Sequence, residues 1–399
     1  MPVDISGSVS PGFEVVADAF AASFTHPDMG AAVSVYLGGR PVVDLWGGMA
    51  DPLKGTRWTA DTLSVIFSCT KGLMSLLVAQ LVEEGLLDHD APVARYWPEF
   101  AAAGKASITV RQALAHQAGL SAPRRDLTLD AICDWDQVVH VLEAQAPLWP
   151  PGHGYAYHAL THGWLTGELV RRVTGLAPGE AFQQRIARPL AADAWIGLPQ
   201  SEHRRVSHLT VGATLANQIA GTPAPAKGSD AELDRAMTLG GALPPALATR
   251  DGGFNDPRLW AAQIPAAGGI TNARSLARIW SAAVLETAGV RLLRPATVER
   301  ATKVESQGEP VFHVPPPWPK FGMGFLLDCD TRRLVTPHGF GHDGAGGQIA
   351  FAEPTLGLSF AYVTNLMEGA GDTRGNSVVD ALRRVPQVLA GRDVDHTLV

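Results

Sequence analysis

The 399-residue chain is 46% hydrophobic and 18% charged, the composition of a well-buried globular protein of two or three structural units rather than a disordered one. A formal charge of −7, with no Lys/Arg-rich run, excludes a general polyanion binder, and no stretch of about 18 apolar residues is present to span a bilayer. Neither nucleic acid nor a membrane is an expected partner, and the start Met1-Pro2-Val3-Asp4-Ile5, without the basic and apolar regions of a secretory signal, leads to the expectation of a cytoplasmic protein.

Ala32 to Leu37 and Pro41 to Trp46 are rich in Val and flank Gly38-Gly39, which predicts two strands joined by a tight hairpin. Ser68-Cys69-Thr70-Lys71 then opens an almost wholly apolar helix that runs through Leu73, Leu76, Leu77 and Leu81. Residues three apart share a helix face, so the Lys71 amine reaches the Ser68 hydroxyl, and the helix N-terminus favours negative charge there. Six lysines and eighteen serines would give about 0.3 S-x-x-K matches by chance, so the motif alone is modest. A Ser68 N-cap with Lys71 reaching out to solvent accounts for it equally well.

From about 106 to 250 the pattern is helical, as in Thr109 to His116, Gln137 to Ala144 and Thr161 to Val173. The expected organisation is a helical domain, 106–250, inserted in an α/β domain formed by 1–105 and 251–399. Pro150 to Ala159 reads as a turn leading into a helix and carries Tyr155 and Tyr157. A phenol serves as acid or base, but it accepts a proton at pH 7 only beside a cation such as Lys71. His158 and His162 stand four apart on the expected helix, with His153 close. That spacing suits a metal, yet no acidic or cysteine ligand accompanies it, and neither a metal nor any other cofactor is expected.

Gly221 to Lys227 and Gly240 to Pro245 read as loops, and Pro315-Pro316-Pro317 as a stiff connector. Gly339 to Gly347 is dense in glycine, which lets backbone approach a ligand. As an edge strand it would aim an N–H at a substrate carbonyl and complete an oxyanion hole with the Ser68 N–H. Strands Gln348 to Ala352 and Leu358 to Val363 and a helix from Ser377 to Arg384 follow. Cys69, Cys133 and Cys329 are too scattered for a disulfide framework or a zinc knuckle, and Cys69 reads as a small buried filler.

The serine, tyrosine and glycine-rich segments resemble, in this order, the S-x-x-K, Y-x-N and K-T-G or H-x-G motifs of the serine β-lactamase and penicillin-binding protein superfamily. Leu114-Ala115-His116-Gln117-Ala118-Gly119-Leu120 is similar to its L-L-x-H-x-S-G-L loop and Gly268-Gly269-Ile270-Thr271 to its G-G-I-x-S/T turn. The resemblance covers nearly the whole chain and is closest to the class C-like branch and its family VIII carboxylesterases. It implies an α+β fold, an antiparallel sheet flanked by helices plus a helical domain. It further implies Ser68 as nucleophile, Lys71 as its activator, Tyr157 as the second proton carrier and Tyr155 as a packing aromatic. His342 and Gly344 would contact substrate, and the backbone N–H groups of Ser68 and Ala345 would hold the oxyanion.

Two positions depart from the pattern. The asparagine of Y-x-N is Ala159, which offers no side-chain hydrogen bond to an amide substrate, and the lysine of K-T-G is His342, mostly neutral at pH 7. The expected activity is therefore hydrolysis of small carboxylic esters through a Ser68 acyl-enzyme. A D-alanyl peptidase, β-lactamase or acyltransferase of the same superfamily is the alternative. An alternative of another class is a binding or assembly module that kept only the fold, against which the joint presence of Ser68, Lys71 and Tyr157 argues. The absence of G-x-S-x-G argues against the α/β-hydrolase route to the same chemistry.

Overall fold

A computed structural model describes residues 3–221 and 228–395. The chain begins with β1 (Ile5–Val9) and α1 (Glu14–Ala22), then the hairpin β2 (Gly30–Leu37) and β3 (Arg40–Asp51), then α2 (Cys69–Glu83). Helices Val110–Leu114 and Trp135–Ala144, α3 (Thr161–Thr174) and α4 (Ser229–Thr238) occupy the middle. There follow β4 (Gly269–Thr271), α5 (Ala273–Val284), β5 (Lys320–Phe321), β6 (Leu326–Leu327), β7 (Phe340–Gly344), β8 (Gln348–Glu353), β9 (Leu358–Thr364) and α6 (Arg374–Leu382). The loop expected at Gly221 to Lys227 lies, from 222 onward, outside the described residues. The one expected at Gly240 to Pro245 is a turn with Gly240 and Gly241 at φ 69° and 87°.

The hairpin turn forms because Gly38 and Gly39 both take positive φ, 58° and 78°, as a two-residue turn that matches strand twist requires. The strands run beyond the expected Ala32–Leu37 and Pro41–Trp46 because pairing continues past Trp46, with Ile5 of β1 and Ala31 of β2 opposite Gly47 and Gly30 opposite Gly48. The central order is β1-β3-β2-β9-β8-β7-β6-β5, antiparallel throughout, with Thr56–Arg57 pairing off β3 as a ninth strand. Early and late segments meet where β2 pairs with β9, Ala32 opposite Val363.

β2 is apolar on both faces because both are covered. Ala31, Val33 and Val35 join a core with Val16 and Phe20 of α1 and Val378, Val379 and Leu382 of α6, whereas Ala32 and Tyr36 join the core that contains α5. Helix α2 is buried around nearly its whole circumference and packs between α3 and β7, so it belongs to the sheet and the helices alike. Just before it, Ser64–Val65 pairs with β4, which also pairs with Ala194–Ile196, tying three distant segments together beside residue 68.

Three expectations are corrected. The helix expected to include His158 starts only at Thr161, because residues 154–158 form no regular element and 159–160 a turn; His158 and His162 do not share a helix face. The Gly-rich strand is not a simple edge: β8 pairs along all of β7, and β6 covers Phe340 and Gly341 on the other side. Among the described residues only His342, Asp343 and Gly344 keep that second side clear of strands. The helix expected over Ser377 to Arg384 runs instead from Arg374, whose backbone N–H donates to the Asp372 carboxylate at 3.0 Å. Among the described residues no helix is long and apolar enough to cross a membrane.

Candidate active site

Every residue from Thr62 to Ala79 is buried except Ser68, which is partly exposed. The chain turns sharply there because Phe67 takes φ 44°, a conformation that costs a bulky residue on the order of 1–3 kcal/mol. The Phe67 ring is fully buried edge-on against Phe254, 5.3 Å between centroids, and the Phe67 carbonyl accepts from Thr70 Oγ1 at 2.5 Å. Packing thus enforces the turn. Ser68 makes no side-chain cap bond to α2, so its hydroxyl remains available for other partners.

Lys71 does not reach out to solvent. It is fully buried, and its Nζ lies 2.9 Å from Ser68 Oγ, 2.6 Å from the Ala159 carbonyl and 3.0 Å from the Ala266 carbonyl. Burial lowers its pKa well below the usual lysine value of 10.5. A neutral amine has two N–H donors and one lone pair. Two carbonyls accept the donors, which leaves the lone pair to accept the Ser68 O–H.

A measurable consequence follows from linkage. At pH values between the lowered folded pKa and 10.5 the unfolded lysine holds a proton that the folded one lacks, so stability rises with pH by about tenfold in folding equilibrium per pH unit from this group. Urea denaturation as pH is raised toward 10.5 is expected to show a steeper rise of stability with pH in the parent than in Lys71→Met. Equal slopes would mean that the native amine is protonated.

Tyr157 lines the same cleft as Ser68, with its ring centroid 4.9 Å from Lys71 Nζ. Burial pushes the phenol above its usual value, and the neighbouring Ser68 side chain only partly reverses this. Low-dielectric surroundings disfavour the charged form of both groups, so burial works against a Lys71 cation readying a phenolate. Tyr155 also borders the cleft, but its hydroxyl donates to the Gly308 carbonyl at 2.7 Å, and burial raises its pKa to about 12.

Gly344 must be glycine, because a Cβ there would stand 2.3 Å from the Ile66 carbonyl, and this contact seats β7 against the backbone two residues before Ser68. Ala345 consequently borders the cleft together with Ser68. His342 is buried, and its Nδ1 donates to the Asp343 carbonyl at 2.7 Å, which fixes Nε2 as an acceptor with no partner among the described residues. Burial, the largest cause, lowers its pKa to about 3. Cys69 donates its thiol to the His342 carbonyl at 3.1 Å, and burial raises the thiol pKa.

Of the residues singled out from sequence, Ser68, Lys71, Tyr157, His342, Gly344 and Ala345 gather at one cleft of about 410 Å³ or directly beneath it. The histidines at 153 and 158 do not: His153 is exposed, and His158 spends Nδ1 on the Ala156 carbonyl and Nε2 on the Leu120 N–H. Sequence reasoning missed the Ala159 and Ala266 carbonyls that cage Lys71, since a backbone acceptor has no residue-type signature. It also missed the apolar wall formed by Leu233, Met237, Phe312, Trp318 and Phe321.

The Beta-lactamase family profile matches residues 22–383. The esterase/beta-lactamase LipL of Mycobacterium tuberculosis is 36% identical over 371 residues, covering 90% of this chain and 83% of LipL. A family VIII carboxylesterase structure superposes with a TM-score of 0.84 at 35% identity, covering 96% of this chain and 100% of that one. A penicillin-binding protein homologue from Caulobacter crescentus gives 0.83 at 36%, covering 95% and 99%. With the expected antiparallel sheet and flanking helices in place and the profile spanning nearly the whole length, this chain belongs to the beta-lactamase family.

Proposed function

We propose that the protein is a serine hydrolase that cleaves small carboxylic esters through an acyl-enzyme on Ser68. The observation that carries this reading is the buried Lys71 amine, whose lone pair is left for the Ser68 hydroxyl once two carbonyls have taken its N–H groups. Lys71 accepts the Ser68 proton as Oγ attacks the ester carbonyl, and the N–H groups of Ser68 and Ala345 receive the developing oxyanion. Tyr157 gives its phenolic proton to the departing alkoxide and regains one from the Lys71 ammonium. Water then attacks the acyl-enzyme by the reverse proton route, and no cofactor enters. The substrate lies between the α/β part (1–105 and 251–399) and the helical part (106–250), the segments that supply the cleft's lining.

The relatives named as an esterase/beta-lactamase and a carboxylesterase support ester hydrolysis. Labelling with a fluorophosphonate probe tests it: modification is expected at Ser68 and absent in Ser68→Ala, while an unlabelled parent would favour a binding module. β-Lactams are expected to be poor substrates, because Ala159 holds no amide side chain and His342 presents an acceptor lone pair where a carboxylate needs a cation. Nitrocefin should show a lower kcat/KM than p-nitrophenyl acetate on one preparation; the opposite order would overturn the esterase assignment. Butyrate esters are expected to exceed palmitate esters, since a cleft of about 410 Å³ lies near the small end of ligand pockets, about 300–1,000 Å³. Equal rates on the two would contradict the size argument.

A further inference from the structure

We propose, on the basis of the hydrolase reading above, that the ester's larger substituent is an uncharged, compact apolar group, aryl or branched alkyl, gripped between segment 308–319 and α4. Segment 308–319 contributes Phe312, Val314 and Trp318, while Leu233 and Met237, four apart and so on one face, come from α4. Phe321 forms part of the wall between them, stacked on Tyr157 with centroids 5.8 Å apart and planes 8° from parallel.

The first wall is held before any ligand arrives. Tyr155 anchors it twice, donating its hydroxyl to the Gly308 carbonyl and accepting the Val311 N–H at 2.8 Å. The Phe312 ring meets Trp149 edge-on at 5.5 Å, and Trp318 Nε1 donates to the Val314 carbonyl at 2.8 Å. A preformed apolar wall avoids the cost of ordering side chains on binding. Met237 and Val314 are nevertheless 44% and 37% exposed, and neighbouring Val311 39%, so apolar surface gathers at the mouth of the cleft that contains Ser68. Scattered exposed apolar residues need no explanation, but such a cluster marks a ligand surface.

Charge narrows the occupant further. Among the described residues lining the cleft there is no lysine or arginine, the Asp343 carboxylate is paired with Arg332 at 2.6 Å, and His342 is neutral. An anionic substituent would lose its water without gaining a counter-charge.

The test compares kcat/KM for 1-naphthyl acetate and vinyl acetate in the parent, in Phe312→Ala and in Met237→Ser, one variant on each wall. The naphthyl-to-vinyl ratio is expected to fall at least about tenfold in each variant, chiefly through KM, and intrinsic ester reactivity cancels in the comparison. Vinyl acetate turnover with an unchanged ratio in both variants would overturn the proposal and leave the hydrolase reading standing. Failure of the parent to hydrolyse either ester, with Ser68 unlabelled by phosphonate, would overturn both.

A different observation carries a second assignment: we infer that His116 is a positioning residue for Tyr157. The backbone on either side of Tyr157 is fastened to this one residue, with the Ala156 N–H donating to the His116 carbonyl at 3.2 Å and the His158 N–H to His116 Nδ1 at 3.1 Å. The His116 ring, fully buried, lies 5.0 Å from the Tyr157 ring and 4.5 Å from that of Phe321. His116→Ala is expected to lower kcat at least about tenfold with little change in KM, yet to have less than about a twofold effect in a Tyr157→Phe background. His116→Asn, whose Oδ1 can accept the same N–H, should recover part of the loss and serves as the folded variant if alanine is unstable. An equal penalty in both tyrosine backgrounds would overturn the assignment.

Discussion

Ser68→Ala is expected to lower kcat for p-nitrophenyl acetate by about 10⁴-fold or more, since it removes the hydroxyl proposed to attack and leaves the surrounding packing in place. Lys71 should matter as much, because a serine hydroxyl is a poor nucleophile without a base, and among the described residues Lys71 is the titratable side chain hydrogen-bonded to Ser68. Lys71→Ala would also open a cavity and strand the Ala159 and Ala266 carbonyls, so Lys71→Met is the cleaner variant: it keeps the bulk and deletes the lone pair. Far-UV circular dichroism and a urea midpoint establish that each variant is folded before rates are compared. Full activity in Ser68→Ala would sink the mechanism outright.

Tyr157→Phe is expected to cost at least about a hundredfold in kcat, the usual scale of a lost acid-base group, because it deletes the transferable proton and keeps the ring stacked on Phe321. Tyr155→Phe is expected to leave kcat almost unchanged, yet it is not silent. Losing the bond to the Gly308 carbonyl should lower stability by about 1 kcal/mol and loosen the wall that Tyr155 anchors, which KM would register. If Tyr155→Phe were the more damaging to kcat, the proton-transfer role would belong to the other tyrosine.

The hairpin at Gly38-Gly39, the helix from Cys69 and the strand pair before α6 were legible because each carries its own periodicity or turn chemistry. β1 was not: Ile5-Ser6-Gly7-Ser8-Val9 has two apolar residues, and only pairing with β3 makes it a strand. β5 and β6, of two residues each, are too short to form a pattern. At the site, side-chain identities were readable while their protonation was not. A lysine and a tyrosine look like cation and potential anion in a sequence; burial, which no local motif reports, disfavours both charges. The cage around Lys71 was invisible for a related reason, since its acceptors are main-chain atoms at positions 159 and 266.

The placement of β7 bears on how the enzyme is born. Ser68 and Lys71 leave the ribosome early, whereas the strand that sets Ala345 beside Ser68 is made some 270 residues later and is held in the sheet by β8, itself secured by β9 against β2. Contacts so distant along the chain make folding slow and late rather than progressive. A nascent chain therefore holds a serine and an amine but not the strand proposed to complete the oxyanion site, and on that proposal chemistry switches on only when synthesis has reached the far side of the sheet.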